Sequence, residues 1–433
     1  MKKSKYNFVI EKDGFMLLYN LASEKMALLD NANYVLYDTS DLMSLSESNA
    51  TFFNFLKEKG FIVDNSVDES TRVIEKWRKK DNSKEFFGLT IIPTLGCNMN
   101  CWYCYEDHKS KGLMSTKVYD SIIKLVQEGV KEAKLKKITL SFFGGEPLLA
   151  YKKIVSPIIK QVASICRDFS KDLEISFVTN GFLLKKDILK EISEYGLPTT
   201  FQITLDGNRE LHNKIRTTIN CEDTYSVILS NIEEALNFKM PVILRFNTTL
   251  DNLNTFYDVI DDITKINESV LNYLSIDIHR VWQDKGINDS IYEELENRLR
   301  TFIKNKGLNV SKKMRIQNYQ CYADSNNQFV INYDGLLFRC TARDFVAKNS
   351  EGKLNEDGTI SFNEKFDIRN VVKYGNELCQ KCIIFPLCHG GCSQAKLENV
   401  NTQKCLWNYT EEDKKIIVQE KITSILEDKL RDR

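Results

Sequence analysis

The stretch GLTIIPTLGCNMNCWYCYEDH, Gly88 to His108, joins an apolar run to three cysteines, Cys97, Cys101 and Cys104, spaced three and then two residues apart. A short run of Ile, Leu and Thr that stops at Pro93 predicts a buried β-strand, with the cysteines on the loop at its C-terminal end. Three thiolates at this spacing can wrap one face of a metal centre. They would hold zinc with one outside ligand, or three irons of a 4Fe-4S cube whose fourth iron stays open.

Further strands follow in KITLSFF, LEISFVT, TTFQITL, PVILRFNTTL and YLSIDIHRV, separated by amphipathic helices such as STKVYDSIIKLVQEGVKEA and NTFYDVIDDITKI. Six strand–helix units over residues 86–306 predict an α/β domain with a parallel sheet, open or curled into a partial barrel. Ligands of such sheets gather at the C-terminal strand edge. The cysteine triad, GGEP at Gly144, TNG at Thr179 and LDG at Leu205 each follow directly after one of these strands.

The flanks read differently. Residues 1–85 hold short apolar runs broken by Asp13-Gly14 and Ser23-Glu24, then the helical pattern ATFFNFLKEKG and a charged helix in DESTRVIEKWRKKDNSKE, which predicts a small α+β domain. Residues 307–410 are rich in turns and cysteines and are expected to be held by metal more than by a core. Residues 411–433 predict a terminal helix.

Sixty Lys and Arg balance sixty Asp and Glu, so nothing favours nucleic acid as a partner. No run approaches ~18 uncharged apolar residues and the N-terminus lacks a signal-peptide core, so a cytoplasmic protein without a membrane partner is expected. Twelve cysteines in that compartment point to metal or catalysis, since thiols there stay reduced. Cys166 and Cys221 stand apart and are read as small buried residues.

On these motifs the chain resembles the radical S-adenosylmethionine enzymes, which carry CxxxCxxC after the first strand of a partial (β/α)6 TIM-like barrel. The resemblance implies that Cys97, Cys101 and Cys104 are the catalytic cluster ligands and that S-adenosylmethionine chelates the fourth iron, where its cleavage gives a 5'-deoxyadenosyl radical. It further implies that Gly144, Gly145 and Glu146 face the methionine amino group, with the backbone carbonyls of the glycine pair approaching the ligand. Tyr103 would lie near the adenine. Thr179, Asn180, Thr204 and Asp206 would line the ribose and carboxylate side, with Arg216 pairing the carboxylate and Asn247 nearby. Asp277 and His279 on the sixth strand either face the cavity or pack it.

Beyond the barrel, Cys321 is followed by thirteen residues, Gly335, four more residues and Cys340, then by Cys379-x2-Cys382-x5-Cys388-x3-Cys392 and Cys405. This resembles the SPASM extension of peptide- and protein-modifying radical enzymes. It implies one auxiliary cluster on Cys379, Cys382, Cys388 and Cys405 and a second on Cys321, Cys340 and Cys392, making three 4Fe-4S clusters, the last with an iron that is open or held by another ligand. His389, inside CHGGC, is read as a turn residue.

The N-terminal ~85 residues resemble the winged-helix-like recognition domain of ribosomal-peptide maturases such as sactipeptide and ranthipeptide thioether synthases, which binds a precursor's leader by strand addition. The expectation is a maturase that installs an oxidative crosslink, thioether, carbon–carbon or carbon–oxygen, using a flavodoxin or ferredoxin as electron donor. The alternative is a formylglycine-forming anaerobic sulfatase-maturating enzyme.

Overall fold

The computed structural model describes residues 1–433 except 13, 107–111, 220, 285–287, 314, 315, 317–319, 400–403, 432 and 433, and so leaves Asp107 and His108 of the opening stretch outside the described residues. The chain divides into two compact units, one of residues 83–312 and 326–364, the other of residues 1–82, 313–325 and 365–433. The cysteine-rich stretch 307–410 is therefore shared between them.

All six expected strands are present in the first unit: β1 (Phe86–Ile91), β2 (Lys137–Phe142), β3 (Asp172–Thr179), β4 (Thr199–Leu205), β5 (Val242–Thr248) and β6 (Leu274–Arg280). They lie side by side in chain order and all run parallel. Winding in one direction without reversal is the order of a (β/α) barrel and not of a doubly wound sheet. The sheet stays open, because β6 pairs outward with β7 (Asn309–Val310) and β1 with β8 (Gln328–Ile331). Beyond β8 an antiparallel meander continues through β9 (Leu336–Phe338), β10 (Gly352–Leu354) and β11 (Ile360–Phe362). Strands of three or four residues are too short for a periodic signal, which is why this extension is not visible in sequence.

The helices are α1 (Thr116–Gly129), α2 (Ser156–Asp168), α3 (Lys186–Glu194), α4 (Arg209–Ile215), α5 (Thr224–Asn237), α6 (Phe256–Ile263) and α7 (Asp289–Asn305). Short polar side chains begin several of them: Ser115, Asn208 and Asp223 accept from the amides of Val118, Leu211 and Ser226. Their apolar faces bury one face of the sheet in a single core. Along β2, β3 and β5 every second residue is buried, and those between are half-buried. The half-buried set includes Thr139, Ser141, Ser176, Gln202, Arg245, Asn247, Asp277 and His279, so the opposite face is polar. On the buried face Phe142, Phe177 and Phe201 stand in register on adjacent strands and stack with ring centroids 5.2 Å apart at each step.

The second unit begins with a three-stranded antiparallel sheet, Asn7–Lys12, Phe15–Asn20 and Lys25–Leu29. Three helices follow, Asn31–Thr39, Leu42–Ser48 and Ala50–Glu58, capped by Asp30, Asp41 and Asn49. The first two, interrupted at Ser40-Asp41, are too brief to stand out in sequence. Helix Glu69–Asp81 then packs with the C-terminal segments through a buried polar knot. Asp81 accepts from Lys373 at 2.8 Å and Tyr374 at 2.7 Å, and Lys373 also reaches Asp324 at 3.1 Å. The terminal helix runs Glu411–Arg431. No helix among the described residues is long and apolar enough to cross a membrane.

Truncating the middle ring of the phenylalanine row, Phe177→Ala, removes stacking on both sides. It is expected to cost about 3–5 kcal/mol, read as a lower urea midpoint for the 83–312 unit.

Candidate functional site

Leaving β1, the chain turns through Thr94, Leu95 and Gly96 into the cysteine loop. Gly96 N–H donates to Thr94 Oγ1 at 3.0 Å. The loop after β2 packs directly on this turn: Glu146 N–H donates to the Gly96 carbonyl at 2.9 Å and Gly145 N–H to that of Thr94 at 3.3 Å. A Cβ on Gly145 would stand 2.3 Å from the Gly96 oxygen and 2.4 Å from that of Leu95, and one on Gly144, at φ +117°, 2.6 Å from that of Thr94. The glycine pair thus admits the carbonyls of the cysteine turn. In this structure those are the close carbonyls, where the sequence reading expected the glycines' own carbonyls to approach a ligand.

Glu146 is fully buried. Its carboxylate accepts from Thr179 Oγ1 at 2.8 and 2.9 Å, from Asn180 N–H at 2.8 Å and from Leu148 N–H at 2.9 Å. Burial raises its pKa, and these bonds oppose the rise. Asn180 continues the chain of contacts, its amide donating to Asn98 Oδ1 at 2.8 Å and approaching Cys97 Sγ at 3.9 Å. Strand ends β2 and β3 therefore meet at the first cysteine.

A second group converges from β4 and β5. Tyr103 Oη donates to Asp206 Oδ1 at 2.7 Å and accepts from Arg216 Nη2 at 2.8 Å and Asn247 Nδ2 at 3.1 Å. Arg216 Nε closes the ring on Asp206 Oδ2. Burial would lower the Arg216 pKa, but the Asp206 carboxylate holds it well above its ordinary value. Arg216, expected to take a ligand carboxylate, spends its fork on Asp206 and Tyr103 here. Thr204 stands in register with Arg245 on the neighbouring strand. His212 is fully buried, its Nδ1 facing Asp206 N–H at 3.4 Å, and burial followed by Arg216 pushes its pKa down to about 3. Asn252 ties the carbonyls of Asp206 and Asn247 together at 3.0 Å each. Neither His212 nor Asn252, nor Asn98, was singled out in sequence; only their places just after strand ends β4, β5 and β1 could have marked them. Asp277 lies on the polar face and accepts from Ser311 Oγ at 2.9 Å, with His279 two residues on.

The triad's far side is also held. Tyr105 Oη donates to the Thr341 carbonyl at 2.7 Å, one residue past Cys340, and its ring stacks on Trp282 at 5.8 Å. Cys97 and Cys101 are half-buried and Cys104 exposed. Burial pushes the Cys97 thiol up to about 12, so uptake of metal there releases a proton.

In the second unit Cys379, Cys382, Cys388 and Cys405 line one cavity of about 320 Å³ together with Ile384, Phe385 and Trp407. Asn376 caps the first turn, accepting from Leu378 and Cys379 amides. His389, Gly390 and Gly391 all have positive φ, so CHGGC is a left-handed turn; His389 Nε2 contacts the Pro386 carbonyl at 2.9 Å and acts as a turn residue. Cys321 and Cys392 belong to this unit and Cys340 to the other. Among the described residues no three Cys, His, Asp or Glu side chains converge on a single-ion site. Three thiols stand on the loop after β1 and four more around the cavity of the second unit, soft donors of the kind iron and zinc take.

Residues 91–270 match the family model of the radical SAM superfamily. Over 172 residues the chain is 34% identical to a GTP 3',8-cyclase of Campylobacter jejuni, covering 38% of this chain and 48% of that protein; the match thus spans about half the length of the cyclase. It is 24% identical to the radical SAM cyclopropyl synthase TigE of Paramaledivibacter caminithermalis, covering 82% and 79% of the two chains. To the cysteine-type anaerobic sulfatase-maturating enzyme of Clostridium novyi it is also 24% identical, covering 70% and 86%. Among solved structures, the fold is similar to anSMEcpe with bound AdoMet and Cp18Cys peptide (TM-score 0.58, 20% identity, 80% and 100% covered) and to Streptococcus suis SuiB bound to precursor peptide SuiA (0.53, 14%, 93% and 97%).

Two substitutions probe the geometry. Gly145→Ala should push the cysteine turn away, and hydrogen exchange at the Glu146 amide should accelerate by at least tenfold. Asp206→Asn strands a buried guanidinium and should destabilise the unit by about 3–5 kcal/mol, measured by urea unfolding.

Proposed function

Because the chain carries a radical SAM domain over residues 91–270, we propose that it is a peptide-modifying radical enzyme that installs an oxidative crosslink in a ribosomally made precursor peptide. The observation that carries this reading is the pairing of two thiol sets: three cysteines on the loop that the neighbouring strand ends pin, and four more around a cavity in the other unit. Cys97, Cys101 and Cys104 would hold the 4Fe-4S cube that binds and reductively cleaves S-adenosylmethionine, supplying a radical that takes a hydrogen atom from the peptide. The remaining electron and a proton must then leave before a closed-shell bond can form, which is the use of an oxidising auxiliary cluster.

Residue roles follow from the contacts. Glu146, Thr179 and Asn180 fix the loop and present its open side. Gly144 and Gly145 admit it. Tyr103, Asp206, Arg216 and Asn247 form the wall beside Cys101 and Cys104, with Thr204 behind it and the polar face of Arg245, Asp277 and His279 as the floor where a peptide lies. Cys379, Cys382, Cys388 and Cys405 would hold one auxiliary cluster. An external flavodoxin or ferredoxin supplies the first electron.

The small N-terminal sheet is read as the leader site. Among the described residues nothing pairs with the outer edge of Lys25–Leu29, and Leu28 on it is 60% exposed. An open strand edge is a template for an added peptide strand. A second reading, formylglycine formation on a sulfatase, draws on the similarity to the Clostridium novyi enzyme, which covers 70% of this chain.

Anaerobically reconstituted, reduced protein is expected to release 5'-deoxyadenosine from S-adenosylmethionine, and Cys97→Ala/Cys101→Ala/Cys104→Ala to release none. Turnover retained in that variant removes the reading. With a small peptide encoded beside the gene, the product should lose the mass of two hydrogens; an aldehyde formed on a sulfatase peptide instead selects the second reading.

A further inference from the structure

Lys381 and Lys414 line the four-cysteine cavity, and each has a carboxylate, Glu377 for Lys381 and Glu411 for Lys414. Lys396 is built differently. It is 6% exposed, and its ammonium donates to the backbone carbonyl of Lys373 at 2.8 Å. Among the described residues no carboxylate lies within ion-pair distance of it; Asp81 and Asp324 pair with Lys373, and Asp324 acts on Lys396 only from farther off, behind Cys379 and Cys388 in effect.

Where Lys396 sits is set by glycine. A Cβ on Gly390 would come within 2.5 Å of Lys396 Nζ and 2.9 Å of the Lys373 carbonyl, and Gly390 is part of the cavity wall. The ammonium therefore lies directly behind that wall. Burying an ammonium costs several kcal/mol unless an anion answers it. Burial lowers the Lys396 pKa, and the groups that most oppose this are Cys379 and Cys388.

We propose that Lys396 is the fixed counter-cation of an anionic iron–sulfur cluster held by Cys379, Cys382, Cys388 and Cys405, and that it raises the reduction potential of that cluster. The proposal rests on the reading above that these four cysteines hold such a cluster. Four thiolates around a doubly positive cube make a dianion, and the electron it accepts from the substrate radical makes a trianion. A cation fixed behind Gly390 stabilises the second form more than the first. Lys414, neutralised by Glu411, adds little, and Lys381 is an exposed ion pair screened by water.

The test uses Lys396→Met, Lys396→Arg and Lys381→Met, each in the Cys97→Ala/Cys101→Ala/Cys104→Ala background, reconstituted anaerobically and titrated with reductant under EPR. In Lys396→Met one reduction step should move to lower potential, so that at the parent midpoint the reduced-to-oxidised ratio falls about tenfold, equivalent to 59 mV for one electron. Lys396→Arg should stay within about threefold of the parent and Lys381→Met should superimpose on it. A superimposable Lys396→Met titration overturns the proposal. So does failure of both Lys396 variants to load iron, because shape and not charge is then what matters there; loading by Lys396→Arg but not Lys396→Met supports it. Iron analysis separates this from the underlying reading: if Cys379→Ala/Cys382→Ala loads as much iron as the parent, these cysteines hold no cluster and the reading itself falls.

Discussion

The carboxylate of Glu146 is the constraint on which the site depends. It has no solvent contact, so it persists only while its protein donors are in place. Those donors come from its own loop at Leu148 and from the end of β3 at Thr179 and Asn180, while its backbone N–H holds the turn before Cys97. Three strand ends are thereby locked to one another before any cysteine is considered. The glycine pair makes the lock possible, because a side chain at either position would fill the space the carbonyls of Thr94, Leu95 and Gly96 occupy. A thiol loop held by its neighbours' backbone is positioned by contacts other than its own thiols.

The sheet contributes the rest through its period of two. Each strand turns apolar residues to the helices and polar ones to the other face, so the ends of β4, β5 and β6 deliver Thr204, Arg245, Asn247, Asp277 and His279 to the same side. Parallel sheets are ordinarily covered on both faces and read as unbroken apolar runs. Here the second face carries mostly polar, half-buried side chains. The buried ring of Tyr103, Asp206 and Arg216 ties the cysteine loop to this wall, and Tyr105 ties its other flank to the segment after Cys340.

Strands β1 to β6 were legible because each is a run of six to eight residues with β-branched and aromatic content, bounded by turn residues. Their C-terminal motifs were legible because a glycine pair or a cysteine triad has few reasons to stand at a strand end. Contacts of opposite kind were not. That Glu146 turns inward to Thr179, and Arg216 to Asp206, depends on side-chain directions that spacing does not encode. His212, on α4, reads in sequence as an ordinary helix residue, and only the fold brings it against Asp206. The helices at 31–48 and the strands after 326 are too short to leave a period, and their order comes from capping and from pairing with distant strands.

The two thiol sets are built by opposite means, and the difference has a chemical direction. The triad stands on a loop and ends in Cys104, which is exposed. The other four cysteines enclose a cavity walled by Ile384, Phe385 and Trp407, on short capped turns that include three consecutive left-handed residues. On the proposed reading, four thiolates would leave no iron there open to a substrate. A cluster held there would pass electrons alone, and the charge of a buried ammonium beside it would be screened less than that of an exposed lysine. That is why the buried Lys396 behind Gly390 would matter to this cavity more than the exposed Lys381 on its wall.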